Sequence, residues 1–163
     1  MNPKKAPHPW PAPDWTPVRP FPFSEARKAF AGLTSQEGLL VLRYFRRPDG
    51  VLVAATQFGP LAEGTPGLVH GGAILTALDE ALGAAAWVAG IPSVTVRLET
   101  AFRVGVPLDA KLLLETRVLS TRGRLALVEG DLLGPDGTIY AQAKGRFMRL
   151  DETTQRRLYG RAV

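Results

Sequence analysis

The pattern of apolar and polar positions divides the chain into segments of different period. Residues 39–46 and 51–58 are two β-rich runs separated by Arg47-Pro48-Asp49-Gly50. Proline presets φ and glycine accepts a positive φ, so this spacing predicts a hairpin. Residues 59–69 read as a loop, and residues 71–89 as a long helix whose stop is Gly90-Ile91-Pro92. Val94, Val96, Leu98 and Phe102 then alternate with Thr95, Arg97, Glu99 and Arg103, which is the period of a strand. Three further strand-like runs cover 111–119, 124–133 and 139–150. Turns at Thr121-Arg122-Gly123 and at Gly134-Pro135-Asp136-Gly137 separate them and predict an antiparallel meander.

Two strands, one helix and four strands give the expected architecture. It is an α+β fold in which one long helix is wrapped by a six-stranded antiparallel sheet. The helix is rich in small residues on nearly every side (Ala73, Ala77, Ala81, Gly83, Ala84, Ala85, Ala86), so a curved sheet can approach it closely. The expected organisation is a proline-rich arm over 1–23, a domain over 24–150 and a polar tail over 151–163 with one or two helical turns. The arm holds most of the chain's 14 prolines together with Trp10, Trp15, Phe21 and Phe23. An extended backbone follows from the prolines, and the aromatics predict partial packing onto the domain or a sister subunit. A short helix is expected from Ser24 to about Gly32.

Composition narrows the chemistry. A chain of 163 residues, 45% hydrophobic and 21% charged, can bury a real core. Having no cysteine excludes disulfides, thiolate catalysis and zinc–thiolate sites. Two histidines, His8 and His70, do not suggest a metal site. The net charge of +5 comes from scattered residues with no basic run longer than two, so it predicts a general attraction to anions rather than nucleic-acid binding. Neither a leader nor a membrane span is read from the sequence, and a cytoplasmic setting is expected.

The helix itself carries the candidate site. His70-Gly71-Gly72 opens it, and Asp79 and Glu80 interrupt an otherwise apolar middle, where an ionised carboxylate is costly to bury. Unpaired N–H groups at the helix start can stabilise a developing oxyanion, and Gly71 and Gly72 have no side chain to shield them. The same glycines also suit a tight loop-to-helix turn. Asp79 lies eight residues beyond Gly71, about 12 Å of helical rise. That is too far for both to hold one carbonyl group from a single helix. Joint action on one substrate therefore requires that they come from different subunits. Glu80 is the alternative carboxylate, or else pairs with an arginine.

The run Gly67-Leu68-Val69-His70-Gly71-Gly72-Ala73-Ile74-Leu75-Thr76-Ala77-Leu78-Asp79-Glu80-Ala81-Leu82-Gly83, with this element order, resembles the hotdog-fold thioesterases of the phenylacetic-acid-pathway and acyl-CoA type. In that family an acidic residue follows the histidine of His-Gly-Gly by nine positions, which selects Asp79. The resemblance implies an acyl-CoA thioesterase that releases a free acid and coenzyme A. Coenzyme A would enter as part of the substrate, with no other cofactor. It implies a homodimer, with pairing into a tetramer left open, and two sites at the interface.

By this resemblance Asp79 is general base or nucleophile, Gly71 N–H polarises the carbonyl, and His70 plays a supporting part. Thr95 helps hold water, and Gly72 and Glu80 contact the substrate. Gly64 departs from the family, where some members carry a polar side chain six positions before the histidine. Arg97, Arg103, Arg122, Arg124 and Arg146 are candidate phosphate contacts, none singled out. Two other readings stay open. One is a non-catalytic acyl-CoA-binding module or sensor. The other is a hydratase or dehydratase on the same fold, although its Asp-x-Asn-Pro-x-His pattern is missing.

Overall fold

The computed structural model describes residues 11–22 and 39–160. The helix expected from Ser24, together with His8, Trp10 and Phe23, lies outside these residues. The elements in chain order are β1 (Thr16–Val18), β2 (Leu40–Arg46), β3 (Leu52–Phe58), a 3-10 turn at Pro60–Ala62, α1 (Gly71–Val88), β4 (Ser93–Phe102), β5 (Leu112–Arg122), β6 (Leu125–Leu133), β7 (Ile139–Arg149) and α2 (Glu152–Tyr159).

All strands belong to one antiparallel sheet in the order β1-β2-β3-β5-β6-β7-β4. The count is seven rather than the expected six. The extra strand is Thr16-Pro17-Val18 in the arm, paired with Arg46, Phe45 and Tyr44 of β2. Proline density argues against a strand, but an edge tolerates proline because one side of its backbone has no ladder to complete. The meander predicted for the last three runs is β5, β6 and β7, and β4 stands outside it. β4 pairs with β7, not with β5. The connection over residues 103–111 is no tight turn, and it carries the chain across so that β5 can pair with β3.

The turns follow their sequences. Gly50 takes φ 85° in the β2–β3 hairpin, where its N–H donates to the Arg47 carbonyl at 2.9 Å. Gly90 takes φ 75° after the last turn of α1.

Helix α1 touches every strand from β2 to β7. Ala77, Leu78, Ala81, Leu82, Ala84 and Ala86 are fully enclosed, against Leu42, Leu112, Leu114, Val128, Leu132 and Phe147 of the sheet. The approach is close because the sheet also gives up side chains. A Cβ at Gly130 would stand 2.7 Å from Leu82 Cδ1, and one at Gly145 would stand 2.5 Å from Phe147 Cε2. A smaller cluster of Trp15, Val53, Leu113 and Leu133 forms separately from this core. The Trp15 ring meets Phe45 at 6.2 Å. At the far end of α1, Phe21 of the arm and Tyr159 of α2 both pack edge-on against Trp87, at 5.9 and 5.5 Å. Arm and tail thus both brace the helix terminus. Asp151 caps α2 by accepting from the Thr154 N–H at 2.8 Å, and Gly160 closes it at φ 75°.

Candidate functional site

The loop before α1 is tied at several points. Gly64 N–H donates to the Leu68 carbonyl at 2.9 Å, Gly67 N–H to Glu63 Oε1 at 2.7 Å, and His70 N–H to the Ala62 carbonyl at 2.7 Å. The loop also bridges Glu63 to Val69 and Leu68 to Pro107. Gly64 has a packing reason to be glycine, since a Cβ there would lie 2.9 Å from His70 Cα. A side chain at this position and the present histidine backbone exclude each other.

His70 is the N-cap of α1. Its Nδ1 accepts from Gly72 N–H at 2.9 Å. With Nδ1 accepting, the proton of the neutral ring sits on Nε2. The ring therefore does the work usually given to a serine or aspartate cap. The cap thereby occupies the Nδ1 lone pair.

The amides of Ala73 and Ile74 both reach the His70 carbonyl, at 2.9 and 3.2 Å. With Gly72 held by the imidazole, Gly71 N–H is the amide of the first turn that has no acceptor among the described residues. It also sits at the positive end of the helix dipole. Beside it lies the Phe102 ring, 3.6 Å from where a Gly71 Cβ would be. Phe102 was not foreseen as a neighbour. Its register partner Ala141 on β7 brings it there, and strand periodicity alone does not show which helix turn a strand end will meet.

Farther along α1, Asp79 is partly exposed and Thr95 Oγ1 of β4 donates to its Oδ1 at 2.8 Å. The two residues, 16 apart in sequence, were expected at one site, and the fold joins them. The ladder between β4 and β7 slips between Thr95 and Arg97. Such a bulge re-aims side chains near its position. Gly71 and Asp79 of one chain remain separated by the helical rise of about 12 Å.

Glu80 points elsewhere. No arginine pairs with it among the described residues. Its charge reaches Tyr44 on β2, whose hydroxyl is buried without a hydrogen-bond partner among the described residues. Burial, and then the Asp79 charge, hold the Glu80 carboxyl above the usual range. Burial, and then the Glu80 charge, push the Tyr44 phenol well above its ordinary value. The sequence signal for Tyr44 was its inward parity with Leu40 and Leu42 on β2.

Three of the candidate phosphate arginines are already engaged. Arg97 pairs with Glu99 at 2.7 Å, Arg103 donates to Gln142 Oε1 at 3.1 Å, and Arg124 donates to the Arg149 carbonyl at 2.9 Å. Among the described residues, no three of His, Cys, Asp or Glu gather to hold a metal ion. None of the described helices is long and apolar enough to cross a membrane.

Comparison with known proteins bears on the fold that carries these residues. The thioesterase superfamily model matches residues 66–141, which run from the cap loop through α1 into β7. Acyl-coenzyme A thioesterase THEM4 of Bos taurus is 34% identical over 100 residues, 61% of this chain and 41% of that protein. The chain spans about half the length of the curated relatives it matches. Among solved structures, a thioesterase superfamily protein superposes with TM-score 0.63 at 29% identity, covering 66% of this chain and 53% of its own. A Bacillus halodurans protein crystallised with CoA gives TM-score 0.58 at 26% identity over 66% of this chain and 73% of its own. The sheet-wrapped helix is thus a hotdog fold, and its residues 66–141, from the cap loop into the last strand, are similar to the thioesterase superfamily.

Proposed function

We propose that the protein hydrolyses acyl-CoA thioesters to a free acid and coenzyme A, at sites shared between two copies of the chain. The carrying observation is the pairing of Asp79 with Thr95 at 2.8 Å, partly open to solvent, on a helix whose first amide has no acceptor among the described residues. The match to the thioesterase superfamily and the likeness to a protein solved with CoA support the choice of substrate.

In this reading the thioester carbonyl oxygen lies against Gly71 N–H of one protomer, and Asp79 and Thr95 come from the other. Thr95 already spends its proton on Asp79 Oδ1, so its oxygen and the free Oδ2 can hold a water molecule. As general base, Asp79 takes one proton from that water while the oxygen attacks the carbonyl carbon. The charge on the tetrahedral oxyanion grows where the Gly71 N–H points. Collapse breaks the C–S bond, and the proton held by Asp79 passes to the departing thiolate. As nucleophile, Asp79 would instead form an anhydride that water then opens. A single turnover in ¹⁸O water detects the anhydride route when water opens it at the Asp79 carbon. Label enters Asp79 only on the anhydride route.

The dimer has support in β4. This edge strand exposes Val94, Val96 and Phe102 at 48%, 52% and 54%, and Val104 just beyond it is 53% exposed. An apolar sheet edge with unpaired backbone groups is a pairing surface unless covered. Pairing of dimers into tetramers and a cytoplasmic setting complete the proposal. Replacing Asp79 by Asn tests it. Thioester hydrolysis should fall by about 10²–10⁴-fold, the usual weight of a positioned base, with the oligomer intact. Unchanged turnover would remove Asp79 from the chemistry.

A further inference from the structure

The face of the sheet turned away from α1 carries a cavity that the proposed hydrolysis does not use. Its volume is about 270 Å³, and Arg43, Ala55, Gln57, Asp109 and Lys111 line it, with Pro11 of the arm at its border. Strand alternation explains why these residues meet. Leu42, Ala54 and Leu112 point into the core around α1, whereas Val53 and Leu113 belong to the separate cluster under Trp15. Arg43, Ala55, Gln57 and Lys111 share the parity of that second set, so they stand on the outer face. Arg43 is in register with Ala55, and Ala55 with Leu113, two residues after Lys111.

Ala55 is thus a low, buried floor between two long cationic side chains, whose strands are two ladder spacings apart, about 10 Å. Neither cation is committed. Arg43 and Lys111 make no ion pair or side-chain hydrogen bond among the described residues, and nor does Asp109. Elsewhere on the sheet Arg97, Arg103, Arg124 and Lys144 each have a partner. A guanidinium fork takes the two oxygens of a carboxylate by itself. An ammonium and the Gln57 amide beside it offer further donors, which suits an anion with more oxygens, a phosphate. Asp109 repels a second negative group and accepts from hydroxyls. The volume lies just under the usual small-ligand range of about 300–1,000 Å³, so the occupant is small.

We propose that this cavity binds a phosphate monoester on a small hydroxylated body. Arg43 and Lys111 hold the phosphate from either side of Ala55, and Asp109 accepts from a hydroxyl. The site lies across the sheet from Gly71 and Asp79 and stands apart from the acyl-CoA reading. Two sources carry the same chemistry, a free sugar phosphate and the phosphorylated ribose of coenzyme A.

The test is calorimetric titration of the full chain with ribose 5-phosphate, ribose and inorganic phosphate. Wild type is compared with Arg43→Gln, Lys111→Gln, Asp109→Ala and Lys144→Gln. Both cations are exposed, so their replacement spares the core. Lys144→Gln removes the same charge from the outer face outside the cavity, which controls for the general pull of a chain with net charge +5. Saturable one-to-one binding of ribose 5-phosphate is expected, with ribose not bound. Arg43→Gln and Lys111→Gln should each weaken it about tenfold, the weight of one charge-assisted hydrogen bond, and Lys144→Gln should not. Inorganic phosphate should bind less tightly than ribose 5-phosphate, and Asp109→Ala should close that gap. Coenzyme A and its 3′-dephospho form separate the sources. A preference for coenzyme A that Arg43→Gln abolishes assigns the ester to coenzyme A, and equal binding of the two assigns it to a free sugar phosphate. No binding of ribose 5-phosphate, equal weakening by Lys144→Gln, or a gap that survives Asp109→Ala overturns the site. Because binding is read without turnover, loss of thioester hydrolysis in Asp79→Asn leaves this result untouched.

Discussion

Gly71 sits at the first helical position, where its φ is not positive, and His70 before it is extended at φ −62°, ψ 136°. Both features suit proline, which is favoured at this place and requires an extended predecessor. Gly71→Pro therefore deletes the one amide assigned to the oxyanion while keeping the helix start. Turnover is expected to drop about 10²–10³-fold with little change in melting temperature; steady-state kinetics and calorimetry on the same sample check both halves. The imidazole cap makes a different prediction. His70→Ala should cost about 1 kcal/mol of stability, whereas His70→Asn keeps a cap and most of it, as denaturant titration would read. Glu80 makes a pH prediction. Its carboxyl holds a proton more tightly folded than unfolded, so its contribution is full below the unfolded pKa and is lost as pH rises through the folded one. Wild type should match Glu80→Gln in acid and fall below it toward neutral pH, in melting curves taken from roughly pH 4 to 8.

At the scale of elements, α1 fits its sheet because small residues occur on both. Gly130→Ala would drive a methyl to 2.7 Å from Leu82 Cδ1 and 3.2 Å from the Glu115 carbonyl, with backbone on one side unable to yield. A loss of about 1–3 kcal/mol is expected, measured by chemical denaturation. The helix was legible in the chain because its apolar run is long and its stop is marked by Gly90. Each hairpin was legible for similar reasons, as at Pro48-Asp49-Gly50. β1 was hidden, since three residues around Pro17 have no period of their own and become a strand only by borrowing the β2 edge. The placement of β4 was hidden too. Its sequence says strand, but its partner is decided by where a nine-residue connection can carry the chain. The same holds for the site. Asp79 and Thr95 were each named from the sequence, while Phe102 beside Gly71 arises from register across the sheet.

At the scale of the whole molecule, the proposed mechanism makes the site incomplete within one chain. Its amide and its carboxylate lie at opposite ends of about 12 Å of helix, and the edge strand carrying Thr95 is bare on both faces over Val94–Arg97. A second copy across that edge would cover the exposed valines and supply the missing half. The direct measurement is subunit complementation. Asp79→Asn and Gly71→Pro, each inactive alone, are unfolded together, refolded as a mixture and assayed. In a dimer with shared sites, half of the molecules are mixed and each mixed dimer holds one site with both groups intact. Activity should therefore return to about a quarter of wild type. A mixture no more active than its two components, although shown by mass to contain the mixed dimer, would contradict the account.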